Sequence, residues 1–425
     1  EWFQMGIEAE NHDSAFTLGM QYSIIDSKHY DIQLAIKYLE LAYKLGDRDA
    51  PSMLGNIYNW RPNGGHAGLQ DEIKKAEYWY LKSAKEFNNP YSQAFLANIY
   101  GQPSVWPEMH NENKSFYWAK KSADQGNLLG MDYIAKHYQW GHGTKQSGKM
   151  AIKTLKDIVK KGDIGYSMNS LRYIGDIYAY GRTEIDRDYM EAKKYYLKAE
   201  TLGDKESQNL LGVINIALGD YKNAKKWFEK SGTKDSLSSI MIIDNALAGD
   251  ADAEYDLALM ISRFDKRDEV NNLYESAALK GSIKAQSELG INYKSGIGVE
   301  ENVQVSLYWL KKAAQQGNAM AQNNLGAAYH NGEGVVKDID QAFYWYKMSS
   351  EQNYPLSFRN LGSIYATEFN DSKNAIKNFK LAIEYKDYSA AWDLAHLYKN
   401  GTAGVKVDKK LAFKWMLLGA EKFDK

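Results

Sequence analysis

The 425-residue chain carries 53 basic and 54 acidic side chains, a net charge of −1, and no cysteine. That balance supplies no field to draw in nucleic acid or anionic lipid. The missing cysteines exclude disulfides, thiolate zinc sites and a cysteine nucleophile, and the absence of any run of about 18 apolar residues excludes a transmembrane helix.

The first expected element starts near Ser14, with Leu18, Gly19 and Tyr22, and sets a phrase of the form small-x-x-x-Leu-small-x-x-Tyr. The phrase returns at Ala50, Leu54, Gly55, Tyr58 and, further on, at Ala285, Leu289, Gly290, Tyr293 and Ala321, Leu325, Gly326, Tyr329. Its small residue can be followed through Gly19, Gly55, Ala97, Ala135, Gly175, Gly212, Ala258, Gly290, Gly326, Gly362 and Ala395, with steps close to 36 residues. A second phrase follows each first one: after Tyr329 come Gly332 and Gly334, then Asp338, Ala342 and Trp345. Apolar positions in both phrases recur three or four apart, which predicts two helices, each with one buried stripe. Gly-x-Gly ends the first helix, Asp338 suits the N-cap of the second, and a glycine such as Gly203, Gly281 or Gly317 closes the unit.

A helix pair approaches closely only where one member lacks a side chain, which explains the small position. The tryptophans Trp79, Trp118, Trp227, Trp309, Trp345 and Trp415 are expected to fill the space between neighbouring pairs, and Trp345→Ala to cost about 3–5 kcal/mol.

Some stretches depart from the pattern. The loops at 59–71 (Trp60, Pro62, Gly64, Gly65) and 101–113 (Pro103, Trp106, Pro107) are long and irregular, and loops on one rim of a repeat array often carry binding. Between Gly212 and Ala258 the spacing is too long. After the short loop Leu218-Gly219-Asp220, residues 235–249 form a helical stretch with no phrase of their own. This divides the chain into an array at 1–232 of about six repeats, an orphan helix or irregular insert at 233–249, and an array at 250–425 of about five repeats; one degenerate repeat without a break is the alternative. Thr367 to Ser372 drops the double glycine.

The order Ala-x-x-x-Leu-Gly-x-x-Tyr, Gly-x-Gly-Val, Asp, Ala-x-x-Trp-x-x-Lys-Ala-Ala and Gly, clearest over 283–353, resembles the Sel-one-like repeat (SLR) family, a relative of the tetratricopeptide repeat, over nearly the whole chain. The resemblance implies an all-α, right-handed superhelical solenoid of about eleven antiparallel helix pairs that binds other proteins and carries no catalysis. It also implies a bacterial envelope or secretion role, placing the chain in the periplasm or outside the cell, with the cytoplasm as the alternative. A sharper form is a periplasmic immunity protein that blocks a toxic secreted effector such as a lipase. Two other family roles are an endoplasmic-reticulum quality-control adaptor and a β-lactam-binding enzyme, both of which the missing cysteines disfavour. The start at Glu1, without methionine or signal peptide, reads as a mature or trimmed form.

No motif for catalysis, cofactor or metal stands out. His137 and His142 flank a helix end and do not form a ligand pair. Asp250, Asp252 and Glu254 alternate like a calcium loop, but Tyr255 replaces its required glycine, so they read as a helix start. The Gly-x-Gly elements follow helices and are turn glycines, not a dinucleotide site. Helix phase puts Asn56, Asn98, Lys136, Arg172 and Asp176 beside the phrase stripe but facing away from the pair. This polar run suits a protein partner in the concave groove, or else a solvated face. Trp60, Trp140 and Tyr180 follow two residues after the phrase tyrosine and form a candidate aromatic rim; the alternative is that each ring covers the next unit's loop.

Overall fold

The computed structural model describes residues 11–24, 29–59, 70–262, 264 and 267–423. Trp60, Pro62, Gly64 and Gly65 therefore lie outside the described residues. The chain forms two compact units, Glu1–Ser231 and Gly232–Lys425.

The first unit holds α1 (His12–Ser23), α2 (Ile32–Lys44), α3 (Ala50–Asn59), α4 (Gln70–Glu86), α5 (Pro90–Gly101), α6 (Glu112–Asp124), α7 (Leu128–Trp140), α8 (Gly148–Lys160), α9 (Ile164–Tyr180), α10 (Tyr189–Thr201), α11 (Lys205–Ala217) and α12 (Tyr221–Ser231). They pack in sequence as six pairs. The second unit begins with α13 (Lys234–Leu247), which packs on α14 (Ala251–Ser262). Five pairs follow: α14 with α15 (Arg267–Leu279), α16 (Ile283–Ser295) with α17 (Val303–Gln315), α18 (Ala319–Asn331) with α19 (Ile339–Ser350), α20 (Pro355–Thr367) with α21 (Ser372–Glu384), and α22 (Ser389–Asn400) with α23 (Lys409–Phe423). The fold is all-α and its sequential pairing is that of a solenoid. Among the described residues the β pairing shown is an isolated bridge between Arg182 and Ile185. No described helix is long and apolar enough to cross a membrane.

The small position acts as a notch. A Cβ added to Gly175 would fall 2.5 Å from the ring of Tyr196, at Gly212 2.4 Å from Phe228, at Gly326 2.8 Å from Tyr346, and at Gly290 2.6 Å from Leu310. The occupant is the residue immediately after the tryptophan position of the second helix, which the sequence reading had not singled out. Tyr80, Tyr196, Tyr346 and Phe228 are among the largest side chains to be fully or almost fully buried. The tryptophans themselves divide. Trp79, Trp118 and Trp309 are buried, whereas Trp227, Trp345 and Trp415 are half-buried.

Side-chain caps open most helices. Asp338 accepts from the Gln341 amide, Asn318 from Ala321 and Asn127 from Gly130, each satisfying a helix-start N–H that has no partner within the helix. Gly296 and Gly332 close their helices in the left-handed region, where glycine pays no Cβ penalty. Asp250 caps α14 through the Ala253 amide, while Asp252 and Glu254 bind Ser282 and Ser276/Lys280. These three carboxylates are thus occupied as a helix start and its neighbours.

A further bond recurs inside the pairs. The backbone N–H of the second helix's cap residue donates to the carbonyl of the phrase tyrosine: Asp31 to Tyr22, Asn111 to Tyr100, Ser147 to Tyr138, Asp188 to Tyr178, Asn302 to Tyr293, Asp338 to Tyr329, Asp371 to Tyr365 and Asp408 to Tyr398, all between 2.7 and 3.0 Å. Buried glutamines join pairs to one another. Gln286 donates to the Ala278 carbonyl of the preceding pair and accepts from Gln316 of its own, and Gln322 repeats this with Ala314 and Gln352.

Two substitutions separate notch from stripe. Gly326→Ala, which drives a methyl into the Tyr346 ring, is expected to cost about 1–3 kcal/mol. Trp309→Ala is expected to cost about 3–5 kcal/mol, and half-buried Trp345 less than Trp309. Urea unfolding of the three variants measures this; equal losses at Trp309 and Trp345 would contradict the assignment.

Candidate functional site

The site is built from the first helices of three successive pairs in the first unit. Helices α5, α7 and α9 each present the residue that follows the small position: Asn98, Lys136 and Asp176. With Trp140 from the end of α7 they line one cavity of about 420 Å³. Tyr133, Tyr173, Gln139, Glu112, His137 and His142 line it as well.

The structure thus gathers Asn98, Lys136, Trp140 and Asp176, and it employs the remaining candidates elsewhere. Asn56 accepts a hydrogen bond from the Tyr80 hydroxyl at 2.9 Å, across its own helix pair. Arg172 is mostly buried and pairs with Glu206 at 2.7 Å and Asp204 at 3.2 Å, at the start of α11. Tyr180 is half-buried and does not line the cavity. Trp60 lies outside the described residues.

The gathered groups differ in how far their neighbours occupy them. Asn98 donates to the Tyr133 hydroxyl. Lys136 pairs with Asp132 at 2.8 Å and lies over the rings of Tyr133 and Tyr173 at 5.7 and 5.6 Å. Burial works against its charge, but the Asp132 carboxylate outweighs it and holds its pKa above that of an ordinary lysine. One oxygen of Asp176 accepts from the Tyr196 hydroxyl at 2.8 Å. Burial still pushes this carboxyl above the usual range, against the lowering effects of Tyr196 and Arg172. Trp140 is 53% exposed, with the Arg182 guanidinium 4.5 Å above its ring. Gln139 is 7% exposed, and its carboxamide has no hydrogen-bond partner among the described residues.

Glu112, His137 and His142 form a fixed network along the cavity. Glu112 accepts from His142 Nδ1 at 2.7 Å and from the Gly143 amide at 3.2 Å. Burial raises the Glu112 carboxyl, yet these partners bring it below the ordinary carboxylate value. His137 Nδ1 lies 2.7 Å from the carbonyl of His142, which selects the Nδ1–H tautomer, and its Nε2 is 3.0 Å from Ser115 Oγ. This serine–histidine contact does not make a nucleophile. Ser115 is 1% exposed and bonds the Ala97 carbonyl at 2.7 Å, just as Ser306 bonds the Gly290 carbonyl at 2.6 Å without any histidine. Helix packing accounts for the pair. His137 and His142 do not converge on a shared ligand position either, since the backbone of one binds the ring of the other.

Burial lowers the His137 pKa. The unfolded chain therefore takes up a proton that the folded chain resists. The stabilisation is complete above the unfolded value of about 6.5 and is lost as pH falls through the folded one. The melting temperature of the first unit should drop between pH 7.5 and 5, and His137→Gln should flatten that slope in a thermal scan.

Gln139, Tyr133, Tyr173 and Glu112 belong to no motif that would mark them in the sequence. A weak signal existed for Gln139: it directly precedes Trp140 and falls one turn after the small Ala135.

The Sel1 repeat family model matches residues 12–47, 63–86, 90–127, 169–204, 206–236, 283–318, 319–354 and 389–422, more than half of the chain. Helices α7 and α8, which supply Lys136, Gln139 and Trp140, lie between two of these segments. Among solved structures, the chain is similar to a protective antigen of uropathogenic Escherichia coli displaying an SLR fold, with 24% identity over 99% of this chain and 79% of that one and a TM-score of 0.43. It is similar to a Sel1 repeat protein of Oxalobacter formigenes at 23% identity, over 85% of this chain and 89% of that one, with a TM-score of 0.38. It also resembles an immunity protein of Pseudomonas aeruginosa at 22% identity, over 40% of this chain and 81% of that one, with a TM-score of 0.26.

Proposed function

This chain belongs to the Sel1 repeat family, and from that premise we propose that it is a non-enzymatic adaptor which grips a protein partner at the cavity of its first unit. The observation that carries this reading is Gln139. Its carboxamide opens into the cavity with no partner among the described residues, and its adjacent donor and acceptor match the N–H and C=O of a peptide backbone. Exposed Trp140 beside it supplies the flat aromatic surface that dominates many protein interfaces. Asn98 and the second oxygen of Asp176 offer further acceptors, so an extended segment with free amide hydrogens fits the wall.

The setting we propose, on the strength of the family alone, is the bacterial envelope or a secretion route, with the protein in the periplasm or outside the cell. An immunity protein that occludes a secreted effector is the narrower version, and the identity of the captured partner separates it from a general adaptor.

Affinity capture by the full chain from the cells that produce it tests the reading. One stoichiometric protein is expected, with retention reduced about tenfold or more by Trp140→Ala or Gln139→Leu. A partner held equally well by both variants removes the cavity from the interface, and substrate turnover by the pure protein would replace the adaptor class altogether.

A further inference from the structure

Helix α8 places Lys149, Lys153, Lys156 and Lys160 on one face, at spacings of four, three and four residues. All four are exposed, and with Ile152 and Tyr178 they line a shallow groove of about 380 Å³ that shares no residue with the cavity above. From α10, Lys194 and Lys198 join them around Tyr195. The ammonium groups of Lys156, Lys194 and Lys198 lie 5.8, 6.0 and 5.3 Å from that ring, which stacks on Tyr178. Lys160 and Lys194 are neutralised by Asp157 and Glu191, each at 2.8 Å. Lys149, Lys153, Lys156 and Lys198 have no carboxylate partner among the described residues.

Like charges one turn apart destabilise a helix, and the chain as a whole is almost neutral. The uncompensated cations are therefore concentrated locally against an overall charge balance. We propose that this face binds an extended acidic segment of a partner protein. The lysines border a recess, so a single narrow chain can reach several of them at once, where a flat bilayer would touch only the rim. Besides the lysines, the groove is lined by Ile152, Tyr178 and Ile185, which suit the aliphatic stems of glutamate, and by Asp157, whose charge Lys160 offsets. From Lys149 to Lys160 the helix advances about 16 Å, the length of about five extended residues. The surface is independent of the cavity, so a segment seated here leaves the Gln139 wall open, as a bridging adaptor requires.

Fluorescence anisotropy of a labelled octa-glutamate peptide with the full chain tests the proposal. Saturable binding is expected, weakening as salt rises from about 20 to 300 mM because exposed charges are screened. Lys153→Glu with Lys156→Glu should weaken it more than tenfold, the neutral pair Lys153→Gln with Lys156→Gln should weaken it in the same direction, and octa-glutamine should not bind. Trp140→Ala should leave it unchanged, which separates this surface from the cavity. Absence of saturable binding, or binding indifferent to both double variants, overturns the proposal. So does a larger loss from Trp140→Ala, or tighter binding of phosphatidylglycerol vesicles or a single-stranded oligonucleotide than of the peptide.

Discussion

The close approach of two helices at a residue with no side chain, or with only the methyl of alanine, governs this molecule. Gly55, Gly175 and Gly326 each receive a tyrosine ring, Gly212 and Gly362 a phenylalanine, and Gly19 and Gly290 a leucine. The notch fixes where the second helix sits along the first, because only one side chain meets it. The phrase leucines from Leu54 to Leu394 are then buried on the same stripe. Size matters more than polarity here. The tyrosines that enter the notch carry hydroxyls, and two of them, Tyr80 and Tyr196, end on Asn56 and Asp176 at the far side. Thus the residue after the notch is drawn into the packing of its own pair, and this is why Asn56 serves structure although its helix phase faces away from the core stripe.

The same register explains how a site arises from units that are chemically bland. Successive first helices present the post-notch residue in a row, so Asn98, Lys136 and Asp176 meet although 38 to 40 positions separate each from the next. The wall between them is set by what the neighbours leave unoccupied. Asp132 neutralises Lys136 and Tyr133 engages Asn98, while Gln139 and one oxygen of Asp176 remain open to the cavity.

The helical pairs were legible in the sequence because periodicity, the small position and the Gly-x-Gly stops all report local backbone geometry. Asp338 and Gly332 act in the structure as their residue types dictate. The candidate site was legible only in part. Helical phase, a local property, puts Asn98, Lys136 and Asp176 in one row. Phase does not encode the turn of Arg172 to Asp204 and Glu206, because that choice depends on where the next pair begins. Nor does it separate buried Trp309 from half-buried Trp345, since both occupy the same repeat position and differ only in their neighbours.

The bond from each cap N–H to its phrase tyrosine has a consequence for variation. In α20 and α21 it joins Tyr365 to Asp371, six positions on, and in α5 and α6 it joins Tyr100 to Asn111, eleven positions on, at 2.7 and 2.9 Å. The intervening chain hangs between two anchored atoms, like a span whose footings never move. Its length and composition are then free to drift while the framework beneath stays unaltered, so new recognition surfaces can be installed on this scaffold as replaceable cassettes.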